Sequence, residues 1–185
     1  MTSTNDYSQR IEQLHQLITD ADYVLIGAGA GLSAAAGLDY AGEDFRQEFS
    51  EWINRYGITD LYSASFYPFK TEEELPHTPD CRPVSMNLRC DDTFVEDAHW
   101  HQQAHRYQEF VQQANAHRML ILELGVGFNT PVIIRFPFER MAAQFPQTTL
   151  VRFNRDYPQL TTQGVNNYMA FTEDLTEMMH RLFHK

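Results

Sequence analysis

Two glycine-rich turns hold the residues of this sequence that are best suited to binding a phosphate group. The first turn reads Gly29-Ala30-Gly31-Leu32-Ser33-Ala34 and fits the pattern G-x-G-x-x-G/A. Glycines let the backbone approach a pyrophosphate closely, and the start of a helix offers unpaired N–H groups and a positive dipole end. Such a turn can also serve only to pack a helix on a sheet, with the Ser33 hydroxyl capping that helix. We favour nucleotide binding, because the motif follows a predicted strand and opens a predicted helix.

The second turn, Gly125-Val126-Gly127-Phe128-Asn129-Thr130-Pro131, also lies between an apolar strand and a helix. Its backbone amides could bind a second phosphate or a ribose, and the side chain of Asn129 could hydrogen-bond a hydroxyl group. The carboxyl ends of parallel strands meet at one edge of a sheet, where ligands bind in folds of this kind. We therefore predict that the two turns line one crevice.

The elements that must position these turns alternate between strands and helices. Short apolar runs predict four strands, over Tyr23–Ile26, Met119–Leu124, Thr148–Phe153 and Tyr168–Phe171. Helices are predicted over Tyr7–Ile18, Leu32–Ala36, Phe45–Tyr56, Phe94–Ala116, Pro131–Gln144 and Asp174–Phe183. We expect Pro137 to bend its helix, and Asp91 with Asp92 to cap the helix that begins near Phe94. This alternation predicts an α/β fold, a Rossmann-like parallel sheet with helices on both faces.

Composition limits the class of protein. The chain has 185 residues, enough for one domain with a buried core. Its 25 acidic residues outnumber 14 basic ones, and the net charge of -11 disfavours nucleic-acid binding, which needs clustered cations. The two cysteines, Cys81 and Cys90, cannot form a disulfide-rich scaffold or a four-cysteine zinc site. Because the chain lacks an apolar run of ~20 residues and the apolar core of a signal peptide, we expect a cytoplasmic protein with no membrane partner.

Three blocks of the sequence resemble the sirtuin (Sir2) family, and within it the macrodomain-linked branch, class M. The blocks are Val24–Gly37, Met86–Asp97 and Leu122–Pro131. The resemblance covers nearly the whole chain, and its first block includes the family's GAGxS motif. It implies a sirtuin-type fold that uses NAD to transfer ADP-ribose to an acceptor protein, or to remove an acyl group from one. For the class M branch, the implied partners are a lipoylated carrier protein as acceptor and a macrodomain protein that reverses the modification.

The resemblance also implies roles for individual residues. The implied NAD contacts are Gly29, Ala30, Gly31 and Ser33 in the first turn, Tyr40 in a loop over the cofactor, Gly125, Val126 and Gly127 in the second turn, Asn154 at the adenosine ribose, and Asp174 and Leu175 beside the adenine. Asn129 joins this set on the chemistry of its side chain. No catalytic residue and no metal ligand is assigned.

The chain departs from the sirtuin pattern in its centre. The family's T-[QT]-N-[VI]-D motif and its catalytic base have no counterpart, which implies the loss of roughly 100 residues for a chain of this class. Of the four zinc-binding cysteines of the family only Cys81 remains, so zinc is not expected. We therefore expect one truncated sirtuin-like domain over residues 1–185. Its nucleotide-fold halves, 1–75 and 94–185, would flank a vestigial zinc module at 76–93.

Two functions stay open on this basis. One is NAD-dependent ADP-ribose transfer, with the missing groups supplied by another chain. The other is a catalytically inactive sirtuin remnant that binds NAD, ADP-ribose or a protein partner. A Rossmann-type dehydrogenase is disfavoured, because no acidic residue that would bind the ribose follows a second strand. His101 and His105 could share a metal at helical spacing, but a solvated helix face is the preferred interpretation.

A parallel sheet without its central strands would leave apolar surface bare. The first strand and the Met119–Leu124 strand could restore a smaller sheet by pairing directly. Surface that the lost helices would have covered would remain exposed. We therefore expect marginal stability, oligomerisation or aggregation.

Overall fold

The computed structural model describes residues 4–38, 40–65, 67–68, 70 and 94–183. In chain order the elements are α1 (Thr4–Asp20), β1 (Tyr23–Ala28), α2 (Ala30–Ala35), α3 (Glu43–Glu48), α4 (Ser50–Tyr56), α5 (Leu61–Ser65), α6 (Ala98–Ala114), β2 (Met119–Leu124), α7 (Arg135–Gln144), β3 (Thr148–Phe153), β4 (Tyr168–Phe171) and α8 (Leu175–Phe183). The chain divides into two compact units, residues 1–36 with 103–185 and residues 37–102. The predicted boundaries at 75 and 93, the zinc-module remnant and both cysteines lie outside the described residues.

The four strands form one parallel sheet in the order β1-β2-β3-β4, which confirms the predicted α/β architecture. β1 pairs directly with β2, as predicted. The last residues of the strands, Ala28, Leu124, Phe153 and Phe171, are register partners. All four strands therefore end level, and the segments that follow them start at one edge of the sheet.

Helices cover both faces of this sheet, also as predicted. Because successive side chains of a strand point to opposite faces, Leu120 of β2 lies in one core and Ile121 in the other. The first core packs against α1, α2 and α8, and its buried members are Leu14, Leu120, Leu124, Val151, Phe153, Phe171 and Met178. The second core packs against α6 and α7, and its buried members are Ala114, Met119, Ile121, Phe138, Met141, Ala142 and Leu150.

The second unit has a small aromatic core around Phe45, Ile58 and Ala64. The prediction of one helix over Phe45–Tyr56 is wrong, since α3 ends at Glu48, α4 begins at Ser50, and Phe49 between them belongs to neither helix. Phe49 has φ -108° and ψ 22°, outside the helical region, and its ring stacks on that of Phe45 at 5.4 Å between centroids. Gly57 ends α4 in the left-handed conformation that favours glycine.

Two other helix starts differ from the predictions. Helix α7 begins at Arg135 rather than Pro131, so Pro137 lies in the first turn, where its missing N–H breaks no helical hydrogen bond and gives no cause for the predicted bend. Helix α6 begins at Ala98, and Asp97 caps it by accepting a 2.7 Å hydrogen bond from the backbone N–H of Trp100. The predicted caps, Asp91 and Asp92, lie outside the described residues. In the described part of the chain, no helix is both long and apolar enough to cross a membrane.

Candidate functional site

A cleft of about 430 Å³ lies at the carboxyl ends of the strands. Its volume is within the range of about 300–1,000 Å³ that is typical of small-molecule sites. Every segment that follows a strand contributes to it. The lining residues are Ala30, Gly31, Ala34 and Ala35 after β1, Gly125 and Gly127 after β2, Phe153 to Asp156 at the end of β3, and Glu173 to Thr176 after β4.

The two glycine turns contact each other backbone to backbone beneath this cleft. The N–H of Gly31 donates to the carbonyl of Gly125 at 3.0 Å, and the N–H of Gly29 donates to the carbonyl of Leu124 at 2.9 Å. A methyl group on Gly29, Gly31 or Gly125 would lie 2.6 to 2.8 Å from backbone atoms of the opposite turn. Close packing of the turns therefore requires glycine at these three positions, whether or not a ligand is bound.

Gly127 differs from the other three glycines. It lines the cleft, its φ is not in the left-handed region, and a methyl group there would meet no protein atom within 4 Å. The fold itself therefore tolerates a side chain at this position. A methyl group there would extend into open space at a residue that lines the cleft.

The structure brings seven of the twelve predicted contact residues into the cleft: Ala30, Gly31, Gly125, Gly127, Asn154, Asp174 and Leu175. Gly29 and Val126 lie behind the lining, in the contact between the turns. Ser33 lies inside α2, whose N-cap is Gly29, so the capping role considered for it is wrong. Asn129 is exposed and is not among the described residues that line the cleft. Tyr40 belongs to the second unit, where it is exposed.

The side chain of Asn154 joins two of the segments that line the cleft. Its Nδ2 donates to the carbonyl of Val126 at 2.8 Å, and its Oδ1 accepts from the backbone N–H groups of Asp156 and Tyr157 at 3.1 and 2.8 Å. The oxygen thus already accepts two hydrogen bonds, its full capacity. The implied contact of Asn154 with a ribose can therefore use the remaining N–H of its amide.

The charged side chains of the cleft are also engaged. Asp174 caps α8 by accepting from the N–H of Glu177 at 3.1 Å. Glu173 forms an ion pair with Arg10, and Asp156 lies 3.5 Å from Nε of Arg155. No histidine or cysteine is among the described residues that line the cleft. The charged groups among the described lining residues are thus three carboxylates, Asp156, Glu173 and Asp174, and one guanidinium, Arg155.

Behind the second turn lies a buried charge cluster that sequence analysis missed: Glu123, Arg135, Glu139 and Arg152. All four side chains have no exposed surface. Arg152 binds both oxygens of Glu123, at 2.7 and 2.9 Å, and one oxygen of Glu139 at 2.7 Å. Two cations and two anions balance, which is the condition under which charges are tolerated in a core.

Glu139 stays ionised in this cluster. Burial, the largest influence, raises its pKa, but hydrogen bonds from Thr161, Arg152 and Thr162 outweigh burial and leave the pKa below its usual value. The second oxygen of Glu139 accepts from the Thr161 hydroxyl at 2.6 Å and from the N–H groups of Thr161 and Thr162 at 3.0 and 2.8 Å. Glu139 therefore fastens the loop after β3 to α7.

A signal for this cluster is present in the sequence. Glu123 and Arg152 each interrupt an apolar strand one residue before its end, and they are register partners on β2 and β3. Single charges of opposite sign in two buried strands predict a pair only once the strands are known to be neighbours. Register and strand order were therefore needed to recognise it.

Among the described residues, the histidines of α6 are not part of a group of three or more possible metal ligands. No group of three or more His, Cys, Asp or Glu side chains placed to hold a metal occurs among the residues that the structure describes. His105 and Glu109 are both exposed, with 3.5 Å between Nδ1 and a carboxylate oxygen.

The cleft and the two packed turns can be set beside proteins of known function. This chain is similar to protein ADP-ribosyltransferases. It is 20% identical to the "Protein ADP-ribosyltransferase" of Staphylococcus aureus over 275 aligned positions, which cover 95% of this chain and 87% of that protein. Over 58 residues, 30% of this chain and 10% of the other, it is 47% identical to a "Probable bifunctional ADP-ribose hydrolase/ADP-ribosyltransferase" of Fusarium oxysporum f. sp. cubense. No family model matches the chain.

The alignment with the Staphylococcus protein is longer than this chain. It spans 275 positions, whereas the chain has 185 residues, so at least 90 positions (275 minus 185) have a residue in the relative and none here. A loss of this order is what the resemblance to sirtuins implies.

Proposed function

We propose that this chain is an ADP-ribosyltransferase-type domain that binds the ADP-ribose part of NAD in the cleft at the ends of the strands. The observation that carries the proposal is the cleft itself, which two glycine turns form at the level ends of four parallel strands. Ligands of doubly wound sheets bind at this edge. The similarity over 95% of the chain to a protein named as an ADP-ribosyltransferase supports ADP-ribose as the ligand.

The finer proposal is a sirtuin-type transferase that moves ADP-ribose from NAD to an acceptor protein. The blocks that resemble class M sirtuins support this type, and they also suggest a lipoylated carrier protein as acceptor. The name of the Fusarium relative joins ADP-ribose hydrolysis and transfer in one protein. It supports the proposal that ADP-ribose hydrolysis accompanies transfer by this chain, and the resemblance to class M sirtuins suggests a macrodomain protein for that step.

A second candidate function is binding of NAD or ADP-ribose without transfer. The observation that favours it is the set of at least 90 positions that the Staphylococcus protein has and this chain lacks, 275 minus 185. Transfer needs groups that orient the nicotinamide ribose and activate the acceptor. If those groups lie in the absent positions, the chain retains the binding site and depends on another chain for turnover.

Binding is tested first, by calorimetric titration of the purified chain with NAD and with ADP-ribose. The decisive variant is Gly127→Val, because Gly127 lines the cleft and a Cβ added there meets no protein atom within 4 Å. We expect affinity for ADP-ribose to fall at least tenfold, with an unchanged melting temperature. The control is Ala116→Val, which places a valine at an exposed position preceding β2, at the opposite end of that strand from Gly127. Absence of saturable binding by the folded wild-type chain would refute the proposal.

Transfer is tested separately, by release of nicotinamide and by labelling of acceptor protein from labelled NAD. Release in proportion to enzyme concentration, lost in Gly127→Val, would establish turnover by this chain. Saturable binding with no release at any enzyme concentration would select the second candidate function. Addition of a candidate partner chain would then show whether the missing groups can be supplied in trans.

A further inference from the structure

We infer that Arg135 is a positioning residue that holds the second glycine turn and the loop after β3 in the arrangement that forms the ligand cleft; this inference rests on the proposed function. Arg135 is the first residue of α7 and is fully buried. It lies behind the cleft and is not among its described lining residues. Its effect on a ligand would therefore be exerted through the backbone that it binds.

Arg135 contacts the second turn in two ways. Its Nη1 donates to the carbonyl of Val126 at 3.2 Å. The guanidinium carbon also lies 4.3 Å from the centre of the Phe128 ring, a cation–π distance. Val126 and Phe128 flank Gly127, the cleft glycine at which an added Cβ would meet no protein atom within 4 Å.

The same guanidinium group contacts the loop after β3. Its Nη2 donates to the carbonyls of Tyr157 and Gln159 at 2.5 and 3.1 Å. The rings of Phe128 and Tyr157 pack edge to face with 5.1 Å between their centroids. The second turn and the loop after β3 therefore also contact each other directly. A planar group with five donors in a fixed fork can bind both segments at once, which a lysine ammonium cannot reproduce.

The neighbouring Arg152 provides a matched comparison. It is equally buried, belongs to the same charge cluster, and donates to the carbonyl of Gln159 at 2.7 Å. Its other hydrogen bonds go to Glu123 and Glu139 and not to the second turn. Loss of either guanidinium disturbs the cluster, but only loss of Arg135 removes a hydrogen bond to the second turn and leaves the carbonyl of Val126 with Asn154 as its donor.

The test compares Arg135→Lys with Arg152→Lys, since both variants keep the buried positive charge. ADP-ribose affinity is measured by calorimetry well below the melting temperature of each variant. We expect Arg135→Lys to bind at least fivefold more weakly than wild type, and Arg152→Lys to stay within twofold despite a lowered melting temperature. Arg135→Met, which removes every donor, should weaken binding at least tenfold. Equal effects of the two lysine variants, or no effect of Arg135→Lys, would overturn the inference.

A second readout separates this inference from the proposed function. Amide hydrogen exchange is measured without ligand in peptides that cover residues 125–129. We expect faster exchange there in Arg135→Lys and exchange at the wild-type rate in Arg152→Lys. If the wild-type chain binds no ADP-ribose, the proposed function fails, and this exchange pattern still decides whether Arg135 positions the turn. Unchanged exchange at 125–129 in Arg135→Lys would show that it does not.

Discussion

At the scale of single residues, the glycines of the two turns have different tasks. Gly29, Gly31 and Gly125 are needed because the backbones of the turns touch, and a side chain would collide with the opposite turn. Gly127 has no such constraint and faces the cleft. The glycine pattern therefore reflects packing at three positions and leaves one position as a direct probe of ligand binding.

The packing requirement is tested most sharply by Gly125→Ala. Gly125 has φ +59°, and a methyl group there would lie 2.6 Å from backbone atoms of Gly31 and Leu32. Because both left-handed strain and a backbone collision oppose alanine, we expect the free energy of unfolding to fall by about 3 kcal/mol. Gly164→Ala is the control, since its φ of +85° gives strain alone, with the nearest atom at 4.0 Å. In urea unfolding, the free energy of unfolding of the control should fall by only about 1 kcal/mol. Equal decreases in the two variants would contradict the packing argument.

At the scale of elements, the order of the strands places β1 at an edge of the described sheet. Its side chains alternate between a covered face, with Tyr23 and Leu25, and an exposed face. On the exposed face Val24 is 39% and Ile26 59% accessible. An edge strand with apolar side chains and unpaired backbone groups is a site for pairing between chains. This agrees with the bare apolar surface that the sequence analysis expected.

Ile26→Lys should reduce self-association of the chain. Ile26 is more than half exposed, so lysine there places a charge on the edge strand at little cost to the core. We expect light scattering of concentrated solutions to fall while the melting temperature changes little. Leu61→Lys, at an exposed position of the second unit, serves as the control for added charge. If both lysine variants reduce scattering equally, the net charge of the chain and not the β1 edge governs association.

At the scale of the whole molecule, one buried charge cluster ties together β2, α7, β3 and the loop after β3. Glu123 belongs to β2, Arg135 and Glu139 to α7, and Arg152 to β3. Their hydrogen bonds reach Val126, Gln159 and Thr161, so the cluster joins the core to segments that shape the cleft. Such networks are strongly destabilised when one partner is removed, because the other charges stay buried without balance.

The pH dependence of stability follows from the depressed pKa of Glu139. A carboxyl whose pKa is lower in the folded than in the unfolded chain stabilises the fold above its unfolded pKa, near 4.5, and this stabilisation is lost as the pH falls through the lower folded value. Glu139→Gln should therefore lower the free energy of unfolding by about 3 kcal/mol at pH 7. Below pH 4.5, the free energy of unfolding of this variant should depend less on pH than that of the wild type. Urea unfolding between pH 3 and pH 7, roughly the range of carboxyl titration, measures both effects. The exposed Glu12→Gln is the control, and a pH profile of Glu139→Gln parallel to that of wild type would contradict this assignment.

The sequence by itself determined the alternation of strands and helices, the four strand positions and the two glycine turns, because periodicity and glycine act over a few neighbouring residues. The tertiary structure decided which of the predicted side chains were already engaged. The oxygen of Asn154 accepts two backbone hydrogen bonds, and Asp174 caps a helix. The tertiary structure also determined that Glu123 pairs with Arg152. These two residues are 29 positions apart in the sequence and meet only because β2 and β3 are neighbours in register. Contacts of this kind depend on strand order and burial, which no local pattern in the sequence specifies.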